Sequence, residues 1–110
     1  NQKITLGSIS GIGATKNAQF GLFNTATKCY QSKSIKNDHE ILSLTGNISS
    51  MNNEPYLHLH IVLSDENHSC TGGHLNSCIV SGTCEIWIDS VNSCVERHFN
   101  EDVGLNIFSL

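Results

Sequence analysis

Three histidines, His58, His60 and His74, carry the most specific chemistry in this sequence. His58 and His60 fall inside PYLHLHIVLS, an alternating stretch whose successive side chains point to opposite faces of a strand. Both imidazoles therefore project from one side, about 7 Å apart at the backbone. His74 follows Gly72 and Gly73, which let the backbone approach closely or bulge and so re-aim the side chain. An odd-numbered turn between the two strands sets His74 opposite His60 on the same face. A two-residue turn would set it opposite Leu59, in the core. The common three-residue hairpin loop is the expected connection. Three imidazole nitrogens suit zinc or another borderline divalent ion, with a water completing a tetrahedron. The same pattern also suits hydrogen-bonded packing histidines, and spacing alone leaves both readings open.

The elements that must position these groups are read from alternation. In residues 39–49, Leu42, Leu44 and Ile48 share one face, and Ser43, Thr45 and Asn47 share the other. Leu57, Leu59, Ile61 and Leu63 form the matching core face of the histidine strand, while Tyr56, His58, His60 and Val62 lie opposite. If the core faces pair, Ser43 and Thr45 lie on the histidine side. With Tyr56 they are candidates for orienting a metal ligand or contacting a bound molecule. The same parity assigns Glu40 to the core face, leaving Glu54 as the nearby acid. The turn-rich residues 50–55 suit an antiparallel connection.

Elsewhere the pattern is also mostly β. Residues 4–14 and 20–23 read as two strands, 29–35 as an exposed one, and 79–88 as a third core strand. The tail starts polar, is expected to make one helical turn near residues 100–103, and closes on a strand at Ile107 and Phe108. Gly11-Ile12-Gly13-Ala14-Thr15-Lys16 lacks the spacing of a phosphate loop and reads as a glycine-lightened strand. His39, His68 and His98 have no partner at ligand spacing and read as surface or capping residues. Arg97, the single arginine, has the chemistry to clamp an anion but reads better as half of an exposed ion pair, and Asp65-Glu66 reads as a solvated turn.

A chain of 110 residues supports one domain. No segment is long and apolar enough to read as a membrane helix. The formal charge of -4, with six Lys plus Arg, argues against nonspecific nucleic-acid binding by these residues alone. Five cysteines without a CxxC pair indicate neither a disulfide framework nor a zinc ribbon. Reduced, partly buried thiols in a cytoplasmic protein are expected.

Three segments together resemble the plants-and-prokaryotes conserved domain, the PPC domain. They are SGIGA running on to FGLF, EILSLTGNI, and PYLHLHIVLSD followed by GGHL. The resemblance spans nearly the whole chain. It implies an α+β domain with a mostly antiparallel sheet, commonly a homotrimer, whose opening strand and helix would precede Asn1. The fold also resembles that of acetolactate decarboxylases, which use histidine-bound zinc. This implies His58, His60 and His74 as metal ligands. Prokaryotic members carry a DNA-binding label, yet no residue here supports it, and no Arg-Gly-Arg-Pro hook is present. Two functions follow as expectations. One is a trimeric binding or regulatory module whose divalent metal is structural or senses a small-molecule ligand, with DNA contacted by other segments. The other is a metal-dependent lyase acting on a small keto or hydroxy acid. The missing acid beside the histidines favours the module.

Overall fold

The structure, a computed structural model, describes residues 3–110. It contains seven strands: β1 (Gly7–Asn24), β2 (Cys29–Ile35), β3 (His39–Met51), β4 (Glu54–Ser64), β5 (Cys70–Ser90), β6 (Arg97–Asn100) and β7 (Leu105–Phe108). Five form one antiparallel sheet in the order β2-β1-β3-β4-β5, which curls so that β5 also pairs with β1. Closing the sheet this way gives most backbone groups of β1 and β5 a partner and shortens the free edge. β6 and β7 form a separate hairpin.

The expected α+β class is corrected by this architecture, which is all-β among the described residues. The helical component came from the family resemblance, whereas the β-branched, alternating segments of this chain all find antiparallel partners. The helical turn expected at 100–103 is instead the hairpin loop between β6 and β7. Gly104 N donates to the Asn100 carbonyl at 2.7 Å, one helix-like turn that does not continue. Asn100 Oδ1 accepts from Val103 N at 3.0 Å, and Gly104 takes a positive φ of 85° that ends the turn.

Two long strands replace the shorter ones read from sequence. β1 joins the segments at 4–14 and 20–23 through Thr15, Lys16 and Asn17, and β5 runs from the histidine segment through Ile88. Bulges let both strands bend with the curl; those on β1 against β5 fall at Gly13/Thr15, Thr15/Asn17 and Gln19/Phe20. The wholly buried Thr15 hydroxyl donates to the Ile79 carbonyl at 2.7 Å and accepts from Asn17 N at 3.2 Å, satisfying groups the bulge takes out of the ladder.

The core gathers Ala18, Phe20, Ile35, Ile41, Leu44, Ile61 and Leu63, with Leu59 and Leu75 packed against it. A bulge between Ile41 and Ser43 shifts the phase of β3. Ile41 is therefore buried, while Leu42, expected inside, is 51% exposed. The molecule is flat, 42 × 40 × 16 Å. Ile86 and Ile88 pair with Gly11 and Ile9, continuing the core face, yet both are about half exposed. Trp87, on the opposite face beside Ser10, is 61% exposed.

Candidate metal centre

The β4–β5 hairpin sets the geometry. Ser64 pairs with Cys70, so the loop holds five residues rather than three. Its odd length places His60 opposite His74. Asp65 Oδ1 accepts the amides of Asn67 and Ser69 at 2.9 and 3.0 Å, and His68 takes a φ of 63°. This carboxylate-capped turn is what fixes the register. On the other side, Asn52 and Asn53, with φ of 53° and 62°, close the β3–β4 hairpin as a tight two-residue turn.

His74 is held between two strands, paired with His60 on β4 and with Gly21 on β1. That triple approach needs glycine. A Cβ on Gly73 would stand 2.6 Å from the Gly21 carbonyl oxygen, and one on Gly21 would stand 2.7 Å from the Tyr30 ring. Tyr30 can therefore lie across Gly21, its ring edge-on to His74 at 6.3 Å between centroids. Its hydroxyl donates to Asn76 Oδ1 at 2.6 Å.

The three imidazoles converge. Ring centroids are 5.1 Å apart for His58–His60, 5.2 Å for His58–His74 and 5.6 Å for His60–His74. One nitrogen from each can be chosen so that all three lie within 4.8 Å of one another. A tetrahedral zinc with bonds of 2.0–2.1 Å sets its nitrogens about 3.3 Å apart. Three imidazole nitrogens gathered this closely, with no carboxylate or thiol among them, are a donor set that fits a divalent ion. Burial chiefly, then the Arg97 guanidinium and the other two imidazoles, holds His58 below its ordinary value of 6.5. Burial and then His60 lower His74 likewise. Both shifts favour the neutral ring, the form that binds metal.

Thr45 pairs with His60 and Ser43 with Val62, so both occupy the histidine face of β3, but neither lines the cleft above the cluster. Tyr56 does line it. Glu40, assigned to the core by parity, is exposed, because the bulge at Leu42 inverts the phase before it. His39 is buried rather than at the surface, with Nδ1 2.9 Å from the Asn37 carbonyl.

Arg97 overturns its sequence reading. It is buried, and its partners are neutral: Nε donates to Ser49 Oγ at 2.7 Å, Nη1 to the Asn106 carbonyl at 2.9 Å, and Nη2 to Asn47 Oδ1 at 3.0 Å. Tyr56 and Phe108 stack on it at 4.8 and 4.3 Å. This cation pins the β6–β7 hairpin onto β3, helped by Ser50 N donating to the Val95 carbonyl. The hairpin thereby contributes Arg97, Leu105 and Asn106 to the wall of a cleft of about 790 Å³ floored by the histidines. Tyr30, Phe23 and Asn76 form the facing wall. Sequence reasoning missed these groups because only tertiary pairing brings them to the histidines.

A three-histidine cleft on a curled antiparallel sheet defines the class of this protein. The Plants and Prokaryotes Conserved (PCC) domain matches residues 1–92, and the chain belongs to that family. It is similar to a protein from Bacteroides thetaiotaomicron described as a "putative dna binding protein", with 43% identity and a TM-score of 0.93 over 96% of this chain and 74% of that one. A protein from Archaeoglobus fulgidus described as metal-containing is 33% identical, with a TM-score of 0.88 over 97% of this chain and 76% of that one. A plant- and prokaryote-conserved protein from Pyrococcus horikoshii is 32% identical, with a TM-score of 0.88 over 97% and 74%. No curated protein matches the chain.

Proposed function

We propose that this chain is a metal-dependent binding module. His58, His60 and His74 hold a divalent ion, zinc in the first instance, at the floor of a cleft that admits a small molecule. The observation that carries this reading is the convergence of three imidazole nitrogens within 4.8 Å from two paired strands. The metal-containing relative from Archaeoglobus fulgidus supports it. The ion would supply Lewis acidity and an open coordination position. The chain's own residues orient the ligand and exclude water around it. Among the described residues no Asp or Glu lines the cleft, so a lyase-type reaction would lack an acid–base carboxylate from them, which favours binding over catalysis.

A homotrimer is part of the proposal. The half-exposed Ile86 and Ile88, side by side on one sheet face, support a subunit contact, since apolar groups clustered at a surface mark interaction sites. DNA binding, the role in the description of the Bacteroides relative, draws little support from a chain of net charge -4. Duplex DNA should show no salt-sensitive association with this chain.

The test is element-specific metal analysis of untagged protein beside a His58→Ala/His60→Ala variant. One zinc per chain in the parent and none in the variant is expected. Equal metal in both would refute the site.

A further inference from the structure

The cleft above the histidines has an electrostatic character that the metal reading alone does not use. The chain as a whole carries a formal charge of -4, yet among the described residues no carboxylate lines this cleft. Its charged side chain is Arg97, whose three hydrogen bonds all go to neutral oxygens. A buried cation without a counter-charge is costly, and an anion brought beside it recovers part of that cost. Three neutral imidazoles do not cancel the charge of a divalent ion, so a loaded site adds two further positive charges to the same space.

We propose, resting on the metal reading, that the ligand of this cleft is a small organic carboxylate held between the histidine-bound ion and Arg97. Guanidinium has five N–H donors, so three engaged here leave two for a ligand oxygen. Its stacking between Tyr56 and Phe108 fixes its plane before a ligand arrives, which reduces the entropy lost on binding. The remaining walls favour an organic anion over inorganic phosphate. Leu22, Phe23, Tyr30 and Leu105 offer apolar and aromatic surface, and a volume of about 790 Å³ suits a molecule larger than a bare oxyanion. Asn76 also lines the cleft, its Oδ1 accepting from the Tyr30 hydroxyl. Arg97 and Leu105 belong to the hairpin, beyond the residues matched by the family, so ligand choice is set by an element outside the matched segment.

The full chain loaded with Co²⁺ reports on this directly, because the visible bands of cobalt respond to an added ligand. Titrations with mandelate, its neutral amide and inorganic phosphate separate charge from shape. Mandelate should shift the bands with an affinity about ten- to a hundred-fold above the amide, the range of one charge-assisted hydrogen bond. Phosphate should bind more weakly than mandelate. Arg97 is structural as well, so a second variant guards against misfolding. Asn76→Asp keeps the acceptor for Tyr30 and adds a negative charge to the cleft. It should weaken mandelate several-fold more than it weakens the amide. Equal affinity for mandelate and amide, tighter binding of phosphate, or an indifferent Asn76→Asp variant would overturn the carboxylate assignment while leaving the metal site standing. Absence of the cobalt bands would overturn both.

Discussion

Replacing His60 by alanine is the cleanest single perturbation of the metal centre. His60 is the exposed member of the cluster, so its removal opens no cavity. Its backbone stays in the ladder with Thr45 and His74. The metal-free variant should therefore match the parent within about 0.5 kcal/mol, as surface substitutions do. The metal-bound state should differ greatly. Four-ligand structural zinc sites bind with roughly 10–16 kcal/mol, or about 2.5–4 kcal/mol for each ligand, so losing one of three imidazoles weakens zinc by about a hundred-fold or more. With free zinc at about a thousand times the parent's Kd, binding adds about 4.1 kcal/mol to the parent, while a hundred-fold weaker variant gains only about 1.4 kcal/mol. The difference of about 2.7 kcal/mol corresponds to roughly 10 °C or more in Tm for a domain of this size. Thermal unfolding with and without buffered zinc measures it. A His60→Ala protein that keeps the parent's zinc-dependent shift would refute the reasoning, and so would one already destabilised without metal.

Arg97→Met should destabilise the protein by roughly 3 kcal/mol, since it removes three hydrogen bonds and leaves the buried Ser49 hydroxyl without its donor; Arg97→Lys should not restore it, and urea titration reports both. Acidification should weaken the metal-free fold. His58 and His74 have folded-state values below 6.5, so as pH falls through 6.5 the unfolded chain takes up protons first and stability drops until the folded values are passed. Above 6.5 the two residues contribute nothing, and a urea midpoint that rises on moving from about pH 7.5 to about 5.5 would contradict this. Gly73→Ala should fold poorly, because its Cβ would meet the Gly21 carbonyl at 2.6 Å, and amide exchange should show the β1–β5 ladder loosened beside His74.

What the sequence disclosed depended on how local each signal was. The HxH pair and its face were legible because the β3–β4 ladder runs without a bulge from Tyr56 to Val62, although Leu57, expected in the core, is 59% exposed near the open end of the strand. The parity of the next turn was legible as a condition, and the Asp65-capped loop meets it with five residues. The bulge after Ile41 was not legible, since bulging answers the curl of the whole sheet. It reversed the assignments of Leu42 and Glu40 at once. The length of β1 was hidden for a related reason: the polar run Thr15-Lys16-Asn17 looks like a break, and only the buried hydroxyl of Thr15 lets a strand carry it. Arg97 was misread because a lone arginine in a polar tail carries no mark of the Tyr56–Phe108 stack that buries it. The α+β class came from resemblance and not from periodicity, and it is the part the structure corrects.

The central claim is that three imidazoles, and none of the five free thiols, hold the metal. X-ray absorption at the zinc edge of the loaded full chain tests this most directly. The expected first shell is three nitrogens and one further light atom at about 2.0–2.1 Å, with the outer-shell scattering that imidazole rings give. Sulfur at about 2.3 Å in the first shell, or fewer than three imidazoles, would contradict it.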